Sequence, residues 1–141
     1  MNTYEYVNFL LKLKKNGVKE NYGGILRGFS MYYVQKKLEV SASHSLSLSY
    51  ESKCSNLHGH NWVIYISCKS KNLNKDGMVI DFTQIKKLVM DKMDHHNLNE
   101  VFSFNPTAEN IAKWVVDTVP KCYKAKVIES EDNEATYEKT L

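Results

Sequence analysis

Two long runs of alternating side chains constrain the fold of this chain more than any other feature. In the segment 59–70, Trp62, Ile64, Ile66 and Cys68 face one way while Val63, Tyr65 and Ser67 face the other, the period of two that a half-buried strand imposes. Residues 31–44 alternate similarly, with Tyr32, Val34, Lys36 and Leu38 opposite Tyr33, Gln35 and Lys37. A serine-rich loop, 45–57, joins the two runs. Beyond them, Asn74-Lys75-Asp76-Gly77 reads as a turn. Asp81, with Gln84 three residues on, reads as the cap of a helix whose apolar stripe is Phe82, Ile85, Leu88, Val89 and Met93. Pro106 is expected to open a second helix at its first position, where a missing amide proton is harmless. Its buried face is Ile111, Trp114, Val115 and Thr118, and Pro120 ends it. Two short strands, 123–129 and 134–139, flank a polar turn. The order strand, strand, helix, helix, strand, strand predicts an α+β fold, a four-stranded antiparallel sheet with two helices on one face.

At 141 residues the chain fits one domain. Residues 1–30 differ from the rest: a lysine-bearing amphipathic stretch at 4–15 precedes turn signals at Asn16-Gly17 and Asn21-Tyr22-Gly23-Gly24. They also hold the whole formal surplus of +3, because Lys12, Lys14, Lys15, Lys19 and Arg27 face only Glu5 and Glu20. From Met31 onward the charges balance, so the predicted domain, 31–141, has no positive field to gather polyanions, which argues against a nucleic-acid partner. Three unevenly spaced cysteines with no signal peptide ahead of them indicate a reducing cytoplasm. No apolar run approaches the roughly 20 residues needed to span a bilayer, so no membrane association is expected.

All five histidines fall between His44 and His96. On a strand, His58 and His60 point to the same side, and His44, ending the preceding strand, can bring a third imidazole nitrogen. Three such ligands leave a fourth position of a zinc ion open, the mark of a catalytic site. The competing reading is a chance His-x-His. A triad built on His95 and His96 is geometrically poorer, because sequence neighbours diverge on strands and helices alike. Cys54, in a polar loop four residues before His58, has no core to fill, and a nearby cation would favour its thiolate as base or nucleophile. Cys68 and Cys122 read as packing residues. Asp94 and His95 fit either a carboxylate–imidazole proton relay or a histidine at a helix C-terminus. Glu109 is favoured by the helix dipole in any first turn, and Glu129 ends an apolar strand beside an acidic turn.

Five ordered blocks then carry a resemblance. Ser41-Ala42-Ser43-His44, Cys54-Ser55-Asn56-Leu57-His58-Gly59-His60-Asn61, Asp94-His95-His96-Asn97-Leu98-Asn99, Pro106-Thr107-Ala108-Glu109-Asn110, and Glu129 eight residues before Tyr137 resemble the 6-pyruvoyl-tetrahydropterin synthase family, most nearly its 6-carboxy-tetrahydropterin synthase branch of queuosine biosynthesis. The resemblance implies a T-fold (tunnelling fold) whose subunits join sheets into a barrel as a homo-oligomer, a trimer or hexamer, with active sites between subunits. It also implies zinc on His44, His58 and His60, Cys54 as catalytic thiol, and Asp94 with His95 as proton relay. Glu129 is then the anchor of the pterin's amino-pyrimidine edge, and Thr107 and Glu109 line the pocket. The implied substrate is a small pterin triphosphate, 7,8-dihydroneopterin triphosphate. The three residues between Cys54 and His58 form a shorter loop than the five of the 6-pyruvoyl branch, which favours the 6-carboxy product. The blocks begin near Met31, leaving 1–30 as an extension of unassigned role.

Overall fold

The structure, a computed structural model, describes residues 30–140. The readings made on 1–29 lie outside them. Its elements are β1 (Tyr32–His44), β2 (His58–Ser70), α1 (Phe82–Met93), the single-turn α2 (Leu98–Val101), α3 (Ala108–Thr118), β3 (Cys122–Ser130) and β4 (Asn133–Glu138). The strands form one antiparallel sheet in the order β1-β2-β3-β4.

Strand alternation sets the core. Leu38 lies opposite Ile64 and Val40 opposite Trp62, while Ile64 faces Val127 and Ile66 faces Ala125, all on the face that the helices cover. Each fully buried isoleucine on that face contributes roughly 1.5–3 kcal/mol. From the helices come Ile85, Val89 and Met93 of α1 and Ile111, Ala112, Val115 and Val116 of α3. The expected stripe of α1 is therefore narrower than the sequence suggests. Phe82 is 44% exposed, with the Lys36 ammonium 5.9 Å from its ring centre, and Leu88 is only half-buried. One helix laid on a flat sheet buries a row at spacing four, and positions 82 and 88 fall off it.

Two further differences bear on the site. Pro106 is not the first residue of α3. Thr107 caps that helix, its hydroxyl accepting from Asn110 N at 3.2 Å, so Pro106 stands outside with its carbonyl free for another partner. The segment between the long helices also folds: Asn97 caps α2 by accepting from Asn99 N, and Leu98 and Phe102 enter the core, Phe102 stacking on Phe104 at 4.6 Å. Asp81 caps α1 as expected, through Thr83 N at 2.7 Å. Residues 95–97 run along the outer edge of β1: His95 N donates to Ser41 O at 2.7 Å and Ser43 N to His96 O at 3.1 Å. Among the described residues no helix is long and apolar enough to cross a membrane.

Candidate metal centre

His44 and His58 are the last and first residues of β1 and β2 and lie directly opposite each other in the ladder. His60 follows two residues on, opposite Ala42, so pleating turns all three rings to the helix-covered face of the sheet. Ring centres are 4.6 Å apart for His44 and His58, 5.2 Å for His44 and His60, and 4.9 Å for His58 and His60. Trp62, next on the same face, closes the floor. Its ring meets His44 and His60 edge-on at 4.9 and 5.3 Å, and its indole N–H donates to Ala42 O.

Backbone carbonyls fix the tautomers. His44 Nδ1 lies 2.8 Å from Pro106 O, and His58 Nδ1 lies 2.7 Å from Asn56 O. A carbonyl only accepts, so both Nδ1 atoms carry the proton and both Nε2 atoms present lone pairs. Those two lone-pair nitrogens are 3.1 Å apart. Two acceptors this close repel unless a cation draws both. His60 Nε2 is buried and has no hydrogen-bond partner. Burial foremost, reinforced by the two neighbouring imidazoles, holds the His60 pKa below the ordinary histidine value, although Glu129 pushes the other way. A neutral ring with an unsatisfied lone pair is what a metal ligand must be.

Glu129 joins this group. It continues the Ala125, Val127 face of β3 and sits where the β3–β4 register shifts, between Ile128 and Ser130. One carboxylate oxygen, Oε1, is 3.1 Å from His44 Nε2 and 3.0 Å from His60 Nε2. The donor atoms of His44, His58, His60 and Glu129 all lie within 4.8 Å of one another, and this set fits a divalent cation. Glu129, and not Cys54, is the fourth group whose donor atom lies among the three imidazole nitrogens. The alternation through Ala125 and Val127 was the available signal, but only tertiary pairing shows which strand end meets the histidines.

The other expected residues surround this centre. Cys54 is exposed, on a 3-10 turn (Lys53–Ser55) that Ser52 caps. Asp94 caps the C-terminus of α1 and accepts from Ser41 N at 3.0 Å, with its other oxygen 3.6 Å from His95 Nε2. His95 is left-handed, φ 58°, and exposed. It shares a cleft of about 410 Å³ with Ser41, Gly59, His60 and Asn61. Gly59 is not needed for the close approach of the histidines, since its position points to the other face and a Cβ there meets only Ala42 O at 3.8 Å. Thr107, Glu109 and Glu129 line a second cleft of about 430 Å³ with His44 and Tyr50. Cys68 and Cys122 are buried cross-strand partners, and the hydrogen bond that the Cys68 thiol donates to Cys122, together with burial, pushes its pKa far up, so it stays neutral.

Sequence reasoning missed two supports. Pro106 holds His44 through its carbonyl. Asn99 and Asn105 each pair both amide atoms with one backbone unit of the loop, Ser45 and Ser47 respectively, at 2.7–3.0 Å.

A family model described as 6-pyruvoyl tetrahydropterin synthase matches residues 33–140. The chain is similar to the 6-carboxy-5,6,7,8-tetrahydropterin synthase of Bacillus subtilis, 30% identical over 95 residues that make up 62% of this chain and 65% of that protein. It thus spans just under two thirds of that relative's length. It is also similar to the Synechocystis protein of the same name, 31% identical over 121 residues, 76% of this chain and 93% of that one. Among solved structures, the 6-pyruvoyl tetrahydropterin synthase of Caenorhabditis elegans superposes with a TM-score of 0.64 at 27% identity, covering 79% of this chain and 98% of the other.

Proposed function

The chain belongs to the 6-pyruvoyl tetrahydropterin synthase family, and on that premise we propose that it is a cytoplasmic, homo-oligomeric zinc enzyme of queuosine biosynthesis. Its substrates are 7,8-dihydroneopterin triphosphate and water, and its products 6-carboxy-5,6,7,8-tetrahydropterin, acetaldehyde and triphosphate. The observation that carries the reading is the convergence of His44, His58 and His60, with two Nε2 lone pairs held face to face by carbonyls behind them and the third left unsatisfied. Zinc held there supplies Lewis acidity for the hydroxyl-bearing carbons of the pterin side chain.

The remaining work falls to side chains. Cys54 is the base that removes a side-chain proton, and its exposure on the turn leaves the thiol accessible to a substrate. His95 returns a proton at the neighbouring carbon. Asp94, pinned by Ser41 N, orients that imidazole. Glu129 accepts two parallel hydrogen bonds from the amino-pyrimidine edge, and Thr107 and Glu109 shape the same cleft. Oxidation at the carbon that becomes the carboxyl group is balanced within the molecule by reduction of the ring to the tetrahydro level, so no external redox cofactor enters. Among the described residues, no strand pairs with the outer edge of β4 or with the outer edge of β1 ahead of Ser41, which suits pairing with further copies into a barrel. Residues 1–30 are an extension to the catalytic domain, 31–141.

Incubation with 7,8-dihydroneopterin triphosphate and mass analysis of products tests the reading. Acetaldehyde with the 6-carboxy compound supports it. The 6-pyruvoyl compound without acetaldehyde assigns the chain to the other branch, represented by the worm enzyme, and refutes the argument from the short loop. A second reading, a non-catalytic zinc protein, is favoured by one observation: a fourth protein group, Glu129, stands at the centre. Absence of any turnover in a zinc-replete protein would select it.

A further inference from the structure

We propose that Cys68 and Cys122 are an oxidisable pair: a hydroperoxide reaching the cleft at the start of β3 oxidises Cys122, and Cys68 behind it resolves the product as a disulfide across the ladder. Neither the metal centre nor the pterin takes part in this step.

Packing alone does not call for the pair. Counting back from Val127 and Ala125, which face the helices, strict alternation would put Tyr123 on the buried face and Cys122 on the opposite one. β3 departs from that period. Ser67 lies opposite Lys124 and Cys68 opposite Cys122, so Tyr123 is an extra residue, a bulge. The bulge sends the Tyr123 ring to the uncovered face, beside Tyr33 and Lys69, and turns Cys122 inward against Cys68. Directly opposed residues of an antiparallel pair have Cα atoms about 4.5 or 5.5 Å apart, within the span of about 4.4–6.8 Å that a disulfide bridges. The Cys68 thiol already donates a hydrogen bond to Cys122.

The two sulfurs are not equivalent. Cys68 is fully buried, whereas Cys122 is 8% exposed and lines a cleft of about 280 Å³. Lys69, Lys71, Lys121 and Lys139 line the same cleft, and no acid does. Cations beside a sulfur favour its thiolate. The Cys122 thiol is held below its ordinary value, first by the hydrogen bond from Cys68, then by backbone hydrogen bonds at Lys124 and Ser67 and by the Lys139 charge, although burial acts the other way. Cys122 is therefore the attacking sulfur and Cys68 the resolving one.

With hydrogen peroxide the Cys122 thiolate attacks one oxygen: an S–O bond forms, the O–O bond breaks, and the leaving hydroxide takes a proton to become water. Cys122 is then a sulfenic acid. The Cys68 sulfur attacks it, an S–S bond forms, the S–O bond breaks, and the hydroxyl leaves as a second water with the Cys68 proton. Two electrons pass from the two sulfurs to the peroxide. The new bond closes the loop that carries α1, α2 and α3, at the end of β2 remote from His58 and His60.

The test uses the full-length Cys54→Ala protein, in which Cys68 and Cys122 are the remaining thiols. It is given a pulse of hydrogen peroxide, quenched, then unfolded in an alkylating reagent for mass analysis. Expected is a chain lighter by two hydrogens with neither cysteine alkylated, a peptide pair joined through Cys68 and Cys122, recovery of both thiols in dithiothreitol, and a raised Tm for the oxidised form. In the same background, Cys68→Ala stops Cys122 at the sulfenic acid, which dimedone captures, and in Cys122→Ala the Cys68 thiol reacts at least about 10-fold more slowly. The first measurement needs no substitution in the core, so it decides the matter even where a core variant does not fold. If both cysteines stay alkylatable in a protein that remains folded by circular dichroism, the pair is packing only and the proposal fails. Bridging of two chains through either cysteine overturns it as well. Equal reactivity of the two single-cysteine variants overturns the assigned order of attack.

Discussion

Asn99→Ala offers a test of how the loop that carries Cys54 is held. Asn99 accepts from Ser45 N at 2.7 Å and donates to Ser45 O at 2.8 Å; Asn105 repeats this with Ser47 at 2.9 and 3.0 Å. Between the two clamps, Leu46 N donates to Cys54 O at 2.8 Å. The 45–47 backbone is therefore gripped by two side-chain amides on one side and tied to the thiol-bearing turn through the other. Each hydrogen bond nets about 1 kcal/mol, and these are solvent-exposed, so removing one clamp should free the loop by about 1–2 kcal/mol. That corresponds to a roughly 5- to 30-fold larger open fraction. Amide hydrogen exchange at Ser45, Leu46 and Ser47 should accelerate by that factor, whereas Val40 and Ile64 in the ladder should not change. Zinc content should persist, since His44 is held by the ladder and by Pro106 rather than by the clamps. Turnover should fall and KM should rise, because the freed loop carries the thiol and also supplies Leu46 and Tyr50 to the ring's cleft. Unaltered exchange across 45–47, or loss of zinc together with the clamp, would refute the reasoning.

Three further outcomes are expected. His58→Ala or His60→Ala should lower zinc content and activity together, as measured by elemental analysis beside turnover; an inactive variant with stoichiometric zinc would count against the ligand set. Cys54→Ala should show the opposite pairing, zinc retained and turnover lost, and undiminished turnover would remove the thiol from the mechanism. Deleting residues 1–30 should leave assembly and activity largely intact by size-exclusion chromatography and assay; a truncated chain that does not fold would make the extension part of the core.

What could be read in advance followed from periodicity. A strand's period of two is strict, so the faces of β1 and β2 and the common side of His58 and His60 needed no tertiary information. The helices were read less sharply, because which side chains of an amphipathic stripe are buried depends on the width of the surface beneath: Phe82 is exposed, while Ala112 and Val116, too small or too plain to stand out, are buried. Segment 97–102 carries only one helical turn and has no periodicity to detect, yet supplies Leu98 and Phe102 to the core. The position of Glu129 among the histidines depends on pairing between strands far apart in sequence, and the carbonyl of Pro106 has no side-chain signature at all. Backbone partners of this kind are invisible to residue-type reasoning.

The placement of His44 and His58 at the two ends of one loop has an evolutionary consequence. Because the last residue of β1 and the first of β2 face each other across the ladder, residues can be added to or removed from 48–55, between the clamped Ser45 and Ser47 and the Asn56 carbonyl that holds His58, without moving either imidazole. Doubling a flexible loop costs only about 0.6 kcal/mol in closure entropy, and here the ladder fixes the anchor points in any case. The thiol's reach can therefore drift by insertion and deletion while the metal chemistry stays constant, so one scaffold can explore which carbon of a short side chain gives up its proton. On the mechanism proposed above, a change of product then requires changes in the tether between two fixed posts, and none in the posts.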